Sequence, residues 1–219
     1  MKNITYASII GSLMYAQVFT RPDIAFAVEM LGRYHSNLDL DHWRAIKKVI
    51  RYLQGRKNYM LTYRRTENLK VIRYSHSDFA GCVDSRKSTC GYMFMSTNGA
   101  VSWRSAKQTF IATSTMKVEF VSCFEATAHG VWLKSFINGL RIMDSISKPL
   151  RICCDNSTAI FIVKNSKSEN RSKYIDIKYL AIRKCVKEGK VVIEYISTDL
   201  MLADPLTKGM PPKNFKDHL

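Results

Sequence analysis

Acidic residues are scarce in this 219-residue sequence: 18 Asp and Glu stand against 34 Lys and Arg, which leaves a formal net charge of +16. Such an excess points to a polyanionic partner, either a nucleic acid or an anionic membrane surface. A basic surface that serves only solubility is the alternative, and charge alone does not exclude it. Hydrophobic residues make up 46% of the chain, which argues against a disordered protein.

Other patterns are missing as well. The six cysteines contain no C-x-x-C pair, so we expect neither a disulfide scaffold nor a zinc ribbon. No apolar run reaches the ~18 residues that a transmembrane helix needs. The apolar stretch at residues 7–16 imitates a secretory signal, but Ser, Gly and Tyr dilute it, and we interpret it as a packed amphipathic helix. We therefore expect an intracellular protein that is not secreted.

Hydrophobic periodicity divides the chain near position 66. Helical spacing dominates the first part, with predicted helices at 5–17, 24–34 and 41–54. Strands are predicted at 59–63, 70–75, 91–96, 100–104, 150–154 and 190–196, and further helices at 117–140, 157–164, 175–187 and within 198–208. Three consecutive strands followed by alternating helices and strands predict an α/β fold, with a mixed sheet flanked by helices.

Four acidic residues follow or begin these elements, where α/β folds place their sites. Asp78 and Asp155 each follow a strand, Glu119 lies near the start of the long helix, and Asp204 lies after the last strand. Carboxylates arriving from four elements suit a paired magnesium site, because this hard cation prefers oxygen ligands. Each residue also has a simpler interpretation, as a helix cap, a partner of a helix dipole or a surface residue.

Six motifs resemble the Pol polyproteins of copia-type LTR retrotransposons, in that family's order and spacing. They are RPDIAFA at 21–27, YSHSDFAG at 74–81, RKSTCGY at 86–92, SWRSAKQ at 102–108, CDN at 154–156 and LADPLTK at 202–208. The resemblance implies that residues 1–65 are the helical C-terminal end of a reverse transcriptase, residues 66–210 a ribonuclease H-like domain with a mixed five-stranded sheet, and residues 211–219 a polar tail. It places the polymerase catalytic region upstream, and since the chain has no Asp-Asp pair we expect no polymerase activity.

The resemblance also implies an activity, namely hydrolysis of the RNA strand of RNA–DNA hybrids with four carboxylates and two Mg²⁺ ions. Carried over residue by residue, the catalytic and metal-binding positions are Glu119, Asp155 and Asp204, with Asp78 as a neighbouring candidate. The family's first-strand motif reads Tyr-Ser-Asp-x-Asp-Trp-Ala-Gly, and His76 stands here at its first Asp. A neutral imidazole replaces a bridging carboxylate poorly, so we predict weak or absent activity. Asp78 would share the same face of the strand, but we do not expect it to restore the site, because metal geometry is strict.

Basic residues crowd the stretch 41–73 and recur near the predicted site. The candidate nucleic-acid contacts are Arg44, Lys47, Lys48, Arg51, Arg86, Lys87, Arg104 and Lys107. The expected partners are an RNA–DNA hybrid or another nucleic acid, and the rest of a retrotransposon polyprotein, in a cytoplasmic particle or the nucleus; no membrane partner is expected. Two alternatives stay open: a non-catalytic nucleic-acid-binding remnant and a domesticated interaction protein.

Overall fold

The computed structural model of the protein describes residues 5–34, 39–63, 71–96, 99–141, 149–165 and 173–209. Its elements are α1 (Tyr6–Phe19), a 3₁₀ turn (Pro22–Ile24), α2 (Ala25–Gly32), α3 (Leu40–Gly55), β1 (Val71–Ser77), β2 (Thr89–Ser96), β3 (Gly99–Lys107), α4 (Thr115–Gly139), β4 (Leu150–Cys154), α5 (Ser157–Lys164), α6 (Lys173–Lys187), β5 (Val191–Tyr195) and two further 3₁₀ turns (Thr198–Leu200 and Asp204–Leu206). The predicted boundary near position 66 and the predicted tail at 211–219 lie outside the described residues.

Side-chain caps fix where the helices around the sheet begin. Ser114 accepts a hydrogen bond from the amide of Lys117 at the start of α4, and Asn156 accepts one from Ala159 at the start of α5. Such caps satisfy amides that have no partner within the helix. Because Ser114 is the cap, α4 begins at Thr115, slightly before the predicted position.

The sheet has the strand order β3-β2-β1-β4-β5. Strand β1 runs antiparallel to β2 and parallel to β4, and β5 is parallel to β4. The prediction of a mixed five-stranded sheet flanked by helices and preceded by a helical segment is therefore confirmed. In the register of the parallel pair Tyr74 lies opposite Cys153, so the carboxyl ends of β1 and β4 meet at one edge of the sheet.

The predicted strand at 59–63 is wrong, because these residues have no strand geometry in the structure. The hydroxyl of Tyr63 donates a hydrogen bond to the carbonyl of Ala100 at 2.7 Å, and Gly99 leaves room for the Tyr63 ring where a Cβ would lie 2.6 Å from it. Tyr63 thus belongs to a segment that lies across the start of β3 without pairing with it as a strand.

Buried apolar residues form separate clusters in the two parts of the chain. The sheet part buries Phe120, Ile152 and Ile193 together with residues of α5 and α6. The helical segment has its own cluster, formed by Tyr6, Ile10, Leu13, Ile24, Val28, Leu31 and Ile46. The two parts touch through α2 and β3, and the indole of Trp103 on β3 donates to the carbonyl of Gln17 in α1 at 2.8 Å.

The cysteines belong to the interior and not to a disulfide framework. All six are free thiols, and five of them are buried. Over the part of the chain that the structure describes, no helix is both long enough and apolar enough to cross a bilayer.

Candidate carboxylate and metal site

The parallel pairing of β1 and β4 brings His76 and Asp155 together. Tyr74 and Cys153 are opposite one another, so the residues two positions further along each strand, His76 and Asp155, meet at the carboxyl edge of the sheet. The Nδ1 atom of His76 lies 3.3 Å from a carboxylate oxygen of Asp155. The hydroxyl of Thr198, in the turn after β5, donates to Oδ2 of this carboxylate at 3.1 Å.

Glu119 reaches the same point from helix α4. Its side chain is almost fully buried, and its Oε1 atom accepts a hydrogen bond from the amide of Ser77 at 2.8 Å. The same oxygen lies 3.0 Å from Nδ1 of His76. The cap at Ser114 therefore has a functional consequence, because it sets the turn of α4 from which Glu119 reaches the end of β1.

Asp204 comes from the last 3₁₀ turn, which packs on strand β2. A Cβ on Gly91 would lie 2.7 Å from the Leu206 side chain, so only a glycine lets the turn approach this closely. Gly91 is opposite His76 in the β1–β2 register, which places Asp204 beside the histidine. The Oδ1 atom of Asp204 lies 3.0 Å from Nε2 of His76 and 2.8 Å from the ammonium of Lys208.

The imidazole ring of His76 thus stands between three carboxylates. Nδ1 faces Glu119 and Asp155, and Nε2 faces Asp204. The contact with Asp204 is ionic and not a well-directed hydrogen bond, because neither neighbouring nitrogen aims an N–H at this oxygen with good hydrogen-bond geometry. Each ring nitrogen lies within 3.3 Å of a carboxylate oxygen, an arrangement that favours a proton on both nitrogens and thus the cationic form of the ring.

The electrostatics follow from this arrangement. Burial lowers the pKa of His76, but the contacts with the carboxylates of Asp155, Asp204 and Glu119 together outweigh burial and raise the pKa to about 12. Burial raises the pKa of Glu119. For Asp155 and Asp204 the upward effect of burial is outweighed by His76, helped by Thr198 and Lys208 respectively, so their pKa values are lowered.

Asp78 does not point into this cluster. Strand β1 ends at Ser77, so the alternation that predicted a shared face with His76 stops one residue before Asp78. The Asp78 carboxylate instead accepts a hydrogen bond from the backbone amide of Thr89, and it packs against Gly81, where a Cβ would lie 1.8 Å from its oxygen. Burial raises its pKa. Its described hydrogen bonds close the loop between β1 and β2.

The cluster contains the types of side chain that bind metal ions. However, the oxygen atoms that would bind an ion already have partners within the protein. One ligand atom each from His76, Glu119 and Asp155 lie within 4.8 Å of one another, close enough to hold an ion. Yet the oxygens that would bind it already face the imidazole, the Ser77 amide and the Thr198 hydroxyl. An imidazole nitrogen offers a single lone pair, and none when it carries a proton, whereas Mg²⁺ prefers anionic oxygen ligands. The residues as they stand therefore do not fit a pair of Mg²⁺ ions.

The predicted nucleic-acid contacts lie in two groups. The first is the outer face of α3, where the side chains are exposed: Arg44, Lys47, Lys48 and Arg51. Of these, Arg44 pairs with Asp41 at 2.7 Å. The second group lies in the β1–β2 loop and on β3, where Arg86 and Arg104 are exposed and Lys87 and Lys107 half-buried. Whether either group contacts nucleic acid stays a prediction.

Sequence reasoning missed Lys208 and Thr198. Lys208 follows Asp204 by four residues, a spacing at which a lysine and an acid often pair, and this spacing could have indicated the contact. The pairing is important for the site because Asp204 is buried. Thr198 carried no signal, since its contact with Asp155 depends on how the chain turns after β5.

Sequence relatives cover nearly the whole chain. No sequence-family profile matches it. The retrovirus-related Pol polyprotein from transposon TNT 1-94 of Nicotiana tabacum is 38% identical over 99% of this chain, and that from transposon RE2 of Arabidopsis thaliana is 34% identical over 97%. The chain spans 16% and 14% of the length of these two polyproteins. Secreted RxLR effector protein 161 of Plasmopara viticola is 46% identical over 61% of this chain, which covers 94% of that protein.

Solved structures share the fold. The foamy viral protease-reverse transcriptase, solved in complex with an RNA/DNA hybrid, matches 90% of this chain and 26% of its own with a TM-score of 0.54 and 12% identity. This likeness covers both the helical segment and the sheet. With 34–38% identity to transposon polyproteins along almost the full length, and with the five-stranded sheet order described above, the chain belongs to the family of copia-type retrotransposon Pol polyproteins and carries its ribonuclease H-like domain.

Proposed function

We propose that this chain binds RNA–DNA hybrids as part of a retrotransposon polyprotein, and that His76 impairs its hydrolysis of the RNA strand. One observation carries the proposal: the His76 ring lies within 3.0–3.3 Å of Glu119, Asp155 and Asp204. These are the positions at which the family resemblance implies the reaction takes place. A cation of the protein itself therefore stands where the family uses a further carboxylate.

The proposal extends to the organisation of the chain. Residues 1–65 are taken as the C-terminal end of a reverse transcriptase and residues 66–210 as the ribonuclease H-like domain. The separate apolar clusters of the helical segment and the sheet support this division. The transposon polyproteins that resemble the chain support an intracellular setting.

Binding of a hybrid is supported by the distribution of charge. The basic residues of α3 present a row of exposed cations, and Arg86 and Arg104 add charge on the sheet part. Contacts of this kind recognise the phosphate backbone and the shape of a duplex and not its sequence. Affinity should fall steeply between ~50 and 200 mM salt, because each phosphate contact releases counterions.

The impairment follows from charge and shape. Replacing an anionic oxygen by an imidazolium removes a negative charge at the centre of the site and adds a positive one. Loss of one group that stabilises a phosphoryl-transfer transition state commonly reduces the rate by about 10³-fold. We therefore expect a rate at least that far below the rate of a variant in which the carboxylate is restored.

A cleavage assay tests the proposal. The purified chain and its His76→Asp variant are given a labelled RNA–DNA hybrid with Mg²⁺ or Mn²⁺, and the variant is expected to cleave about 10³-fold faster. The variant His76→Asp/Glu119→Gln serves as the control for contaminating ribonuclease and should be inactive. Equal rates for the wild-type chain and His76→Asp, both abolished by Glu119→Gln, would overturn the assigned effect of His76.

Binding is measured separately, by fluorescence anisotropy with a labelled hybrid. A chain that binds the hybrid no more tightly than duplex DNA, in wild-type and His76→Asp form alike, would contradict hybrid recognition. If His76→Asp binds hybrid but does not cleave it, the proposed catalytic function fails and the non-catalytic binding remnant is favoured.

A further inference from the structure

Every carboxylate of the cluster already has donors or cations from the chain itself. Glu119 has the Ser77 amide and Nδ1 of His76. Asp155 has the Thr198 hydroxyl and the same Nδ1 atom. Asp204 has Nε2 of His76 and, at 2.8 Å, the ammonium of Lys208. Three buried or half-buried acids thus share two cations, so most of their charge is balanced within the protein.

The geometry of the ring differs from that of a bound ion. Mg²⁺ binds oxygens at about 2.0–2.1 Å, and a carboxylate that bridges two ions brings them a few ångströms apart. Around His76 the oxygens instead stand 3.0–3.3 Å from the ring nitrogens, which is the distance of an ion pair. The ring atoms themselves fill the space between the acids, and the His76 side chain is only 11% exposed.

We infer that the imidazole ring of His76 takes the place of a divalent metal ion between Glu119, Asp155 and Asp204, so that this cluster is complete without metal. The inference rests on the proposed function for the identity of the site. It goes further in saying that the fold of this chain is independent of divalent ions, and that metal binding returns when the ring is removed in favour of a carboxylate.

The physical reason lies in the balance of charge. Buried carboxylates that face one another repel, and they need a counter-charge close by. His76 is fixed covalently between these carboxylates, with a ring nitrogen within 3.3 Å of each and with its ring in the space that an ion would need. With His76→Asp the cluster gains a fourth acid and loses the ring, so it acquires both the charge and the space for an ion.

Manganese binding tests the inference with a readout that does not involve activity. The full chain is titrated with Mn²⁺ while the electron paramagnetic resonance signal of the free ion is followed, and its melting temperature is measured in EDTA and in excess Mg²⁺ or Mn²⁺. We expect the melting temperature of the wild-type chain to be the same in all three solutions. His76→Asp should melt lower in EDTA, recover with metal, and bind Mn²⁺ at least about tenfold more tightly than the wild type.

His76→Asn is the matched control, because Asn has the shape of Asp without its charge. It should gain little Mn²⁺ affinity, which separates the return of a carboxylate from the mere removal of the ring. Circular dichroism checks that each variant is folded; the wild-type titration decides the matter even where a variant is not. A wild-type chain that binds Mn²⁺ as tightly as His76→Asp, or that melts higher with metal by as much, would overturn the inference.

The result is separable from that of the cleavage assay. A wild-type chain that binds Mn²⁺ but does not cleave the hybrid would refute the replacement of the metal by the His76 ring and leave the proposed impairment standing. A His76→Asp variant that binds Mn²⁺ without cleaving would support that replacement while removing the proposed function.

Discussion

Strand β1 carries two basic side chains three residues apart, Arg73 buried and His76 half-buried, and their surroundings are opposite. His76 is surrounded by three carboxylates at 3.0–3.3 Å. Arg73 is fully buried, and within the described part of the chain none of its three side-chain nitrogens has a hydrogen-bond partner. We therefore expect the His76 side chain to stabilise the fold through its acidic neighbours, and the buried Arg73 side chain to reduce the stability of the fold.

Arg73 is accommodated by space and by an aromatic ring. Its guanidinium lies 4.7 Å from the centre of the Phe94 ring, and it fills the position beside Gly130 of α4 where a Cβ would lie 2.0 Å from it. Burial lowers the pKa of Arg73 to about 9. A cation–π contact returns about 2 kcal/mol when desolvated, which is less than the several kcal/mol that burial of an ion costs.

The comparison shows that the effect of a basic side chain on stability depends on its neighbours and not on its place in the strand. At His76 the burial of the ring is offset by three acids, which themselves need a counter-charge. No acidic side chain in the described structure pairs with the guanidinium of Arg73. Replacing each by an apolar residue should therefore change stability in opposite directions.

The largest effect is expected from His76→Leu. It leaves Glu119, Asp155 and Asp204 buried without their central cation, and removal of one partner from a buried ionic group costs about 3–5 kcal/mol. The free energy of unfolding, measured in urea with EDTA present, should fall by this amount. His129→Leu is the matched control, because His129 is also half-buried and, within the described structure, its hydrogen-bond partner is Ser102 and not an acid. This substitution should lower the free energy of unfolding by a smaller amount. Equal losses for the two variants would remove the special role of His76.

Arg73→Met is expected to act in the other direction, with a smaller magnitude. An apolar side chain of similar length removes an unpaired buried charge, and exchanges of this kind stabilise proteins by about 1–4 kcal/mol. The same urea measurement should show a gain. Gly130→Ala sharpens the test: it should destabilise the wild type, where the new methyl meets the guanidinium, and stabilise an Arg73→Ala background through its helix propensity. A loss of stability in Arg73→Met would show that the guanidinium contributes more than it costs.

The contrast between these two sites also marks what could be read from the sequence. The apolar strands and the long helix follow from periodicity, and the family resemblance identified His76, Glu119, Asp155 and Asp204 as one group. The shared face predicted for Asp78 failed, since it needs the strand to continue past Ser77, and strand ends depend on loop contacts such as that of Thr89 with Asp78.

Other features depend on packing that no pattern encodes. The sequence shows that a histidine replaces an acid, but only the structure shows that its two nitrogens reach three carboxylates. Arg73 looked like one more member of a basic stretch, and its burial depends on the glycine of α4 that faces it. The segment 59–63 resembled a strand by composition, but only Tyr63 is seen to pack on the start of β3, whereas Tyr59 contacts Arg56.

The smallest effect is expected from Lys208→Gln, which tests how much of the charge balance belongs to His76 alone. Lys208 lies 2.8 Å from Asp204, but its side chain is 47% exposed, so water already screens its charge. Exposed ion pairs contribute about 0.2–1 kcal/mol, and the free energy of unfolding should fall by no more than this. In the His76→Leu background the same substitution should cost more, because Lys208 is then the remaining cation beside Asp204. A double-mutant cycle in urea measures the difference. If the two losses simply add, Lys208 and His76 act on Asp204 independently, and the histidine is not the shared centre of the cluster.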